Sequence, residues 1–219
     1  MFVTGTDTDV GKTFVAVALL RALAQQGKRA VGMKPIASGC TKNDGRVVCD
    51  DVEQLRTAGN VAVTAQDICP YAFGAPIAPH LAAASEGVTL DLQHIARRHE
   101  ALAEMADWVV IEGAGGWRVP LGEHATMADL ARTLGRPIIL VVRMRLGCLN
   151  HALLSAEAIA RDGVTLTGWV ANVMDPKMSA LTENIDTLRQ RMPVPLLSIF
   201  GHDDPVDLAA SRVIEAMNI

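Results

Sequence analysis

The 219-residue sequence lacks the features that usually mark membrane, secreted and nucleic-acid-binding proteins. Its longest apolar stretches, such as residues 138–142, are far too short to cross a bilayer. No basic region precedes the apolar residues at the N-terminus, so no signal peptide is predicted. The net charge is −4 and no block of lysine and arginine occurs, which argues against a nucleic-acid surface. We therefore expect a cytoplasmic protein with no membrane and no nucleic acid among its partners.

Paired cysteine motifs, internal repeats, low-complexity tracts and linkers are absent as well. The four cysteines have no Cys-x-x-Cys spacing, and in a reducing compartment they are expected to be free thiols. The less favoured alternative is a zinc site that joins Cys49 or Cys69 to a distant histidine. Half of the residues are hydrophobic and 20% are charged, which is typical of a globular chain. The length suits a single domain over residues 1–219.

The chain is organised around residues 5–13, Gly-Thr-Asp-Thr-Asp-Val-Gly-Lys-Thr, which lie between an apolar start and a helix-forming run over 14–26. This order of strand, glycine-rich turn and helix is typical of a phosphate-binding loop. Glycines let the backbone curl around an oxyanion, and free N–H groups at the helix start point at it. Lys12 adds charge for the outer phosphates, and the Thr13 hydroxyl is placed to bind Mg²⁺. The alternative, a surface glycine turn, is disfavoured by the flanking strand and helix.

The loop departs from the common phosphate-loop pattern in two ways. Thr6 stands at the first glycine position and Gly5 comes one place earlier, so the loop is one residue longer. It also carries Asp7 and Asp9, and carboxylates beside a triphosphate are unfavourable unless they face something cationic. Our hypothesis is that these two acids face a metal or an amine substrate.

Lys34 directly follows a predicted buried strand over residues 30–33 and begins the run Lys-Pro-Ile-Ala-Ser-Gly. Ligand sites in open parallel sheets gather at the carboxyl ends of strands, so a functional lysine is favoured over a solvated one. The polar segment 41–46 is predicted to be a loop. Asp50 and Asp51 then begin a short helix. Composition favours their interpretation as helix caps, and the alternative is that one of them binds magnesium.

A second buried strand, residues 108–111, ends in Glu112 and is followed by Gly-Ala-Gly-Gly-Trp. A carboxylate at the tip of a hydrophobic strand suits Mg²⁺ held from the far side of a phosphate loop, and the glycines allow close backbone approach. The alternative is a strand followed by a flexible turn. The upstream Gly-Lys-Thr favours the metal role for Glu112.

Strands alternate with helices along the rest of the chain, apart from residues 67–84, which contain three prolines and are predicted to be irregular. The alternation predicts an α/β fold, a doubly wound and mostly parallel sheet with helices on both faces, of the P-loop NTPase type. The helix over 91–105 is expected to place His99 on its solvent side. Residues 146–151 lead into a helix over 152–161 and are either an anion site or an ordinary connection.

Four blocks, residues 5–13, 34–39, 112–117 and 146–151, resemble the dethiobiotin synthetase family in their order and spacing. The resemblance extends from residue 2 to about residue 173. It implies that 7,8-diaminononanoate, CO₂ and MgATP yield dethiobiotin, ADP and phosphate. One amine takes up CO₂ as a carbamate, the γ-phosphate converts it to a carbamic-phosphoric anhydride, and the second amine closes the ring. Such chemistry depends on positioning and charge neutralisation more than on a covalent protein group.

The resemblance also implies roles for individual residues. The catalytic residues would be Lys12, Lys34 and Thr8. The metal would be held by Thr13, Asp51 and Glu112, with Asp51 preferred to Asp50. The residues that would bind ATP are Asp9, Val10, Gly11, Lys12, Thr13, Phe14, Glu112, Gly115, Gly116 and Asn172, the last of them at the adenine. The residues that would meet the diamine or carbamate are Thr8, Ser38, Gly115, Gly116, Leu146, Gly147 and Asn150.

Members of this family form homodimers, so the resemblance implies that the loop over 146–150 reaches the partner's site, which lies at the subunit interface. Two departures from the family stand out in the sequence. Arg145 occupies a position where a well-known member of the family has a lysine; the charge is kept, but a guanidinium is not equivalent to an ammonium. Phe200-Gly201-His202 replaces an Ile-Pro pair that contacts the nucleotide base, so base recognition is expected to differ there.

Two rival functions share the nucleotide-binding motif. Cobyrinate-type amide synthases usually carry a glutaminase domain, for which this chain has no room. Switch ATPases of the septum-positioning or chromosome-partitioning type carry an extra lysine early in the loop and often a basic C-terminal helix. Here Thr6 and Asp7 occupy the early loop, and residues 209–219 contain a single arginine. ATP turnover that depends on a diamine, rather than on a protein or membrane partner, would separate these functions.

Overall fold

A computed structural model describes residues 1–43, 46–201 and 206–217. The strands are β1 (Phe2–Gly5), β2 (Ala30–Met33), β3 (Ile36–Ala37), β4 (Thr41–Asn43), β5 (Arg46–Val48), β6 (Tyr71–Ala72), β7 (Trp108–Gly116), β8 (Ile138–Arg143), β9 (Leu166–Asn172) and β10 (Leu196–Phe200). The helices are α1 (Lys12–Gln25), α2 (Asp50–Ala58), α3 (Ala65–Ile68), α4 (Pro79–Ser85), α5 (Leu92–Met105), α6 (Met127–Leu134), α7 (Cys148–Arg161), α8 (Leu181–Arg191) and α9 (Val206–Ala216).

Six strands form the central sheet, in the order β10-β9-β8-β1-β7-β2, and every neighbouring pair is parallel. The first strand lies in the middle, where Phe2 pairs with Ile111 of β7 on one side and Ile138 of β8 on the other. Strands such as β8 are fully buried over most of their length because helices cover both faces. The predicted α/β class with a doubly wound parallel sheet is confirmed.

The direction of each crossover places the helices on two faces. The connection from β1 to β2 runs one way across the sheet, whereas those from β2 through β7, β8 and β9 to β10 run the other way. Right-handed connections therefore put α1 opposite α5, α6, α7 and α8. The helix contacts agree, because α1 packs against α2 and α9, α5 packs against α6, and α7 packs against α8. The carboxyl ends of β1, β2 and β7 thus meet at one edge near the reversal.

Two segments differ from the sequence-based expectation. Part of the predicted loop over 41–46 forms strands, since β4 and β5 pair antiparallel with Thr41 opposite Val48; residues 44–45 lie outside the described part. The predicted irregular segment 67–84 contains the end of α3, the strand β6, which pairs with β3, and α4. These strands are two or three residues long, so they carry too little periodicity to be recognised.

The prediction of four free thiols is wrong for two cysteines, because Cys40 and Cys49 form a disulfide. The β4–β5 pair folds the chain back on itself and brings the two Cα atoms to 4.4 Å of each other. The sequence separation of nine residues does not by itself indicate that the two cysteines lie close enough to form a disulfide. Cys69 and Cys148 are free, as predicted, and the structure shows that both are buried. Within the described ranges, no group of three or more His, Cys, Asp and Glu side chains is arranged to hold a metal.

No helix in the described part of the chain combines the length and apolar character needed to cross a membrane.

His99 of α5 was expected to face solvent, but it is only 4% exposed. Burial is the largest cause of a lowered pKa for its imidazole, from the ordinary 6.5 to about 4; the charges of Arg136 and of the N-terminal amine add to this effect. The folded chain therefore binds fewer protons at this site than the unfolded chain between these two pH values. The free energy of unfolding should accordingly fall as the pH is lowered through this interval.

We expect His99→Gln to weaken this acid sensitivity, because glutamine has no proton to take up on unfolding. Urea denaturation of both proteins at several pH values between 7 and 4.5 measures the effect. The free energy of unfolding should decline less steeply in the variant than in the wild type. Parallel declines in the two proteins would contradict the assignment of a buried neutral imidazole.

Candidate active site

An open cleft of about 990 Å³ lies at the carboxyl ends of β1, β2 and β7. It is lined by residues of the loop after β1, the segment after β2, the start of α2 and the end of β7. The predicted site residues among them are Thr8, Asp9, Gly11, Lys12, Thr13, Phe14, Lys34, Ser38, Asp51, Glu112 and Gly115. Residues from four separate parts of the sequence therefore face one cleft.

The loop after β1 turns sharply into α1, which begins at Lys12, two residues before the predicted start. Gly11 has φ 92°, in the left-handed region that favours glycine, and it precedes the helix as its N-cap. The Lys12 ammonium donates to the Asp7 carbonyl oxygen at 2.8 Å and so folds across the loop. Burial, followed by repulsion from Lys34, lowers the pKa of Lys12 to about 8. The Lys12 ammonium is therefore nearly buried and lies at the turn of the loop backbone.

The two acids of the loop differ in what they face. The Asp7 carboxylate accepts a hydrogen bond from the Arg145 guanidinium at 2.8 Å, so its cationic partner in this structure is an arginine rather than a metal or an amine. Asp9 lines the cleft and has φ 56°, and its carbonyl accepts from Arg143 at 3.3 Å. The loop after β1 is therefore tied to the end of β8 by two arginines.

The Lys34 ammonium lies between two carboxylates that come from distant parts of the sequence. It donates to Glu112 Oε1 at 2.5 Å and to Asp51 Oδ2 at 3.0 Å. The Thr13 hydroxyl donates to the same Glu112 oxygen at 2.8 Å. Burial alone would lower the pKa of Lys34, but the charges and hydrogen bonds of the two carboxylates outweigh burial and raise it. Lys34 is consequently a buried, charged lysine.

Asp51 is not a helix cap, which corrects the interpretation favoured from composition. Cys49 is the N-cap of α2 and makes no side-chain cap hydrogen bond, while Asp50 and Asp51 lie in the first turn. The Asp51 carboxylate reaches Lys34 instead. Asp50 does not line the cleft.

The residues around Glu112 fit a magnesium ion. Glu112 is 1% exposed, and its Oε2 atom is buried without a hydrogen-bond partner among the residues that the structure describes. An orphaned buried carboxylate oxygen is costly unless a cation or donor meets it. Thr13, Asp51 and Glu112 offer the hard oxygen ligands that Mg²⁺ prefers, and Mg²⁺ usually takes only one or two carboxylates, completing its shell with phosphate and water oxygens. The donor set therefore suits Mg²⁺ bound together with a nucleotide.

Three predicted nucleotide ligands, Val10, Gly116 and Asn172, are not among the residues that line the cleft. The Asn172 amide, 4% exposed, donates to the Val10 carbonyl at 2.8 Å. A Cβ atom at Gly11 would collide with this amide, so a glycine is needed there. Gly116 pairs with Gly5 between β7 and β1. In this structure, then, Asn172 holds the loop backbone instead of facing open space.

The predicted substrate loop lies apart from the cleft of its own chain. Gly147 has φ 92° and is the N-cap of α7, which begins at Cys148, four residues before the predicted start. Leu146 is 99% exposed and Asn150 is also exposed. Leu146, Gly147 and Asn150 are absent from the residues that line the cleft.

The two aromatic residues near the expected nucleotide site lie together. Phe14, 40% exposed, lines the cleft and meets the ring of Phe200 edge-on, with 5.9 Å between ring centroids. Phe200 is the last residue of β10. His202, the third residue of the departure from the family pattern, lies outside the described residues.

Several residues that sequence reasoning missed complete the cleft, and most of them are apolar. They are Ile36, Gln54, Pro76, Ile77, Ala78, Pro79, Ala114, Val119 and Met174. The run Pro-Ile-Ala-Pro over 76–79 offered a signal, because a proline-flanked apolar segment that is not in a strand has to pack against something. Met174 lies two residues after Asn172, the last residue of β9, and its position relative to that strand was its only signal.

Comparison of the sequence with known proteins gives two kinds of match. A family model described as an AAA domain matches residues 1–208. The ATP-dependent dethiobiotin synthetase BioD of Aromatoleum aromaticum is 50% identical over 213 residues, 96% of this chain and 95% of that protein. The protein of the same name from Nitrosospira multiformis is 49% identical over 206 residues, 94% of this chain and 89% of that protein.

Comparison with solved structures supports the fold alone, because the sequence identities are low. The MinD cell division protein of Aquifex aeolicus matches with a TM-score of 0.63 at 12% identity, over 99% of this chain and 95% of that one. A ParA family ATPase from Chlorobium tepidum matches with a TM-score of 0.56, also at 12% identity, over 98% and 91%. These neighbours confirm the predicted P-loop NTPase type of fold. The identity of about one half over nearly the whole length of two relatives shows more than a common fold, and the chain belongs to the family of ATP-dependent dethiobiotin synthetases.

Proposed function

We propose that this chain, acting as one domain over residues 1–219, carboxylates 7,8-diaminononanoate with CO₂ and closes the product to dethiobiotin, consuming MgATP. The observation that carries the proposal is the meeting of two lysines, Lys12 and Lys34, with Glu112 in one cleft. A phosphate-loop ATPase needs the first lysine for its nucleotide. A second buried ammonium beside it suits a reaction with a second anionic reactant, such as a carbamate.

The proposed chemistry has three steps that balance without a redox partner. One amine attacks CO₂ and loses a proton, which gives a carbamate. A carbamate oxygen attacks the γ-phosphorus of ATP, and the bond to the β-phosphate oxygen breaks to release ADP. The second amine attacks the carbamoyl carbon, the carbon–oxygen bond to the phosphoryl group breaks to release phosphate, and the amine loses a proton as the ureido ring closes. Holding both amines beside the phosphoryl group gives the last step a high effective molarity.

In this proposal the two lysines neutralise negative charge as the phosphoryl group moves. Lys12 would contact the outer phosphates from the loop, and Lys34 would contact carbamate and phosphate oxygens from the end of β2. Thr8, whose hydroxyl lies beside Gly115, would help to place the carbamate, as would Ser38 and the Gly115–Gly116 backbone. Such preorganised donors stabilise charge at little reorganisation cost.

Thr13, Asp51 and Glu112 would hold Mg²⁺, and their oxygen donors and the orphaned Glu112 Oε2 support this assignment. The ion would supply charge neutralisation for the β- and γ-phosphates of ATP. The loop residues Asp9 to Phe14 would surround the nucleotide. Asn172 would bind the adenine. To do so, its side-chain amide would have to give up its hydrogen bond to the Val10 carbonyl and form one to the base.

We further propose a homodimer in which the loop over 146–150 completes the partner's site. The support is the position of Leu146, which is 99% exposed although it is apolar, and of Leu154 in α7, 56% exposed. Burying such side chains is favourable by roughly 25 cal/mol per Å². The N-terminus of α7, with Gly147 as its cap, presents free N–H groups suited to the substrate carboxylate.

Phosphate release from MgATP with bicarbonate, measured with and without 7,8-diaminononanoate, tests the proposed function. Release that requires the diamine, together with a cyclic urea product identified by mass, is expected. Release that is indifferent to the diamine would contradict the proposal. It would favour a switch ATPase if a protein or membrane partner stimulated it, and an amide synthase if ammonia and a corrinoid acid did.

Asn150→Ala should weaken diamine binding about tenfold and leave ATP binding nearly unchanged, because the residue lies outside the nucleotide cleft of its own chain. Calorimetric titrations with the diamine and with a non-hydrolysable ATP analogue measure the two affinities. His151→Ala, an exposed neighbour on the same helix, serves as the control. Equal losses for both ligands would remove the substrate role of this loop.

A further inference from the structure

The Lys34 ammonium occupies the position where the proposed metal ligands converge. The ammonium donates hydrogen bonds to Asp51 Oδ2 and Glu112 Oε1, and Glu112 Oε1 also accepts one from the Thr13 hydroxyl. These three residues are the ones that the proposed function assigns to Mg²⁺. The lysine side chain is 6% exposed, so bulk water does not screen its charge. In the free chain, therefore, a protein cation neutralises the carboxylates.

A divalent ion and this ammonium compete for the same two carboxylates. Asp51 uses Oδ2 for Lys34, and Glu112 Oε1 already accepts two hydrogen bonds, which leaves Glu112 Oε2 as the buried oxygen without a partner. An ion held by Glu112 Oε2 would therefore lie on the same buried carboxylate that already binds the Lys34 ammonium. Two cations held on one buried carboxylate would also repel each other strongly, since the site has little solvent screening.

Lys12 adds to this repulsion without sharing the ligands. Its ammonium is bonded to the Asp7 carbonyl, and the charge of Lys34 acts on it from nearby. Lys12 therefore provides an internal comparison, because it is a second buried lysine of the same cleft whose hydrogen bond goes to the backbone. Any effect of charge alone is shared by both lysines, whereas displacement from the carboxylates concerns Lys34 only.

We propose that Lys34 is the resident counter-ion of the metal site and leaves Asp51 and Glu112 when a divalent cation binds. The inference rests on the proposed function for its metal ligands, and it adds a regulation of that site. Lys34 would be released toward the carbamate only in the metal-loaded cleft. The second lysine would thus be withheld from substrate until the metal and its nucleotide are in place.

The test is the affinity for Mn²⁺ alone, followed by electron paramagnetic resonance, in the wild type, Lys34→Met and Lys12→Met. Methionine keeps the length of the side chain and removes its charge. Lys34→Met is expected to bind Mn²⁺ about tenfold more tightly than the wild type, a coupling of ordinary size. Lys12→Met is expected to change the affinity by less than about threefold, because that lysine does not contact the carboxylates.

A second measurement follows Lys34 in the wild type, in which its contacts with Asp51 and Glu112 are intact. In protein labelled with ¹⁵N-lysine, the Lys34 side-chain resonance, assigned by its absence in Lys34→Met, should shift on addition of Mg²⁺. An unshifted resonance at saturating Mg²⁺ would overturn the proposal. Equal gains in the two methionine variants, no gain in Lys34→Met, or no binding in any of the three proteins would overturn it as well. None of these outcomes depends on the diamine, so failure here is distinguishable from failure of the synthetase assay.

Discussion

Replacing Lys12 by alanine should reduce phosphate release from MgATP about a thousandfold and leave the fold intact. The Lys12 ammonium is held across the phosphate loop at 2.8 Å from the Asp7 carbonyl, and the residue is only 6% exposed. Its removal leaves the backbone N–H groups of the loop but no charge for the outer phosphates. The ammonium donates to a backbone carbonyl rather than to a carboxylate, so alanine leaves no carboxylate in the loop without its partner. Steady-state phosphate release with saturating diamine measures the loss.

Lys28→Ala is the matched control for this variant. Lys28 is an exposed lysine just after α1, outside the cleft, and its replacement should leave turnover unchanged. Circular dichroism of both variants checks that the helices are retained. Near-normal turnover in Lys12→Ala would remove the phosphate-loop mechanism from consideration.

Glu112→Gln is expected to have the second large effect, on both activity and stability. The carboxylate is 1% exposed and is the closer of the two partners of the buried Lys34 ammonium. Neutralising it leaves a buried cation with Asp51 alone, and breaking a buried ion pair costs about 3 kcal/mol or more of unfolding free energy. The proposed magnesium site also loses its buried ligand. Phosphate release should fall about a thousandfold, with a higher Mg²⁺ requirement.

Asp107→Asn provides the comparison for stability. Asp107 pairs with Arg29 at 2.7 Å, but both side chains are largely exposed and solvent screens the pair. Urea denaturation should therefore show little change for Asp107→Asn and a clear loss for Glu112→Gln. A stable Glu112→Gln protein with unchanged Mg²⁺ dependence would contradict both roles of this carboxylate.

The elements of the central sheet could be predicted because each carries its own signal. The strand over 30–33 was placed at its observed bounds by its short apolar run before a lysine and a proline. The helix over 91–105 differs by one residue, since Asp91 is its N-cap and accepts from the Gln93 amide. The strand predicted over 108–111 begins at Trp108 as expected but continues through the glycines to Gly116. Phe2 to Gly5 is an apolar strand that runs into a glycine-rich loop. Such patterns are local, so the sequence is sufficient for them.

The errors concern pairings between residues that no local pattern connects. The Cys40–Cys49 disulfide depends on the β4–β5 pair, whose short strands could not be recognised in advance. His99 is buried although it stands between polar residues, because the packing of α5 against α6 and the sheet decides which side is covered. Burial of a single polar residue depends on its neighbours in space, and the hydrophobic period of one helix does not contain that information.

The sequence by itself determined which residues could carry the chemistry: a glycine-rich loop with Lys12 and Thr13, a lysine after β2 and a carboxylate in β7. It did so because each motif lies at the end of an apolar strand, and parallel strands bring their carboxyl ends to one edge. Only the tertiary structure decided what those groups do to one another. The Lys34 ammonium meets Asp51 and Glu112 across 17 and 78 residues of sequence, and Asp7 meets Arg145 across 138. Electrostatic interactions depend on distances of a few ångströms and on exclusion of water, and both arise only when the strands and helices pack.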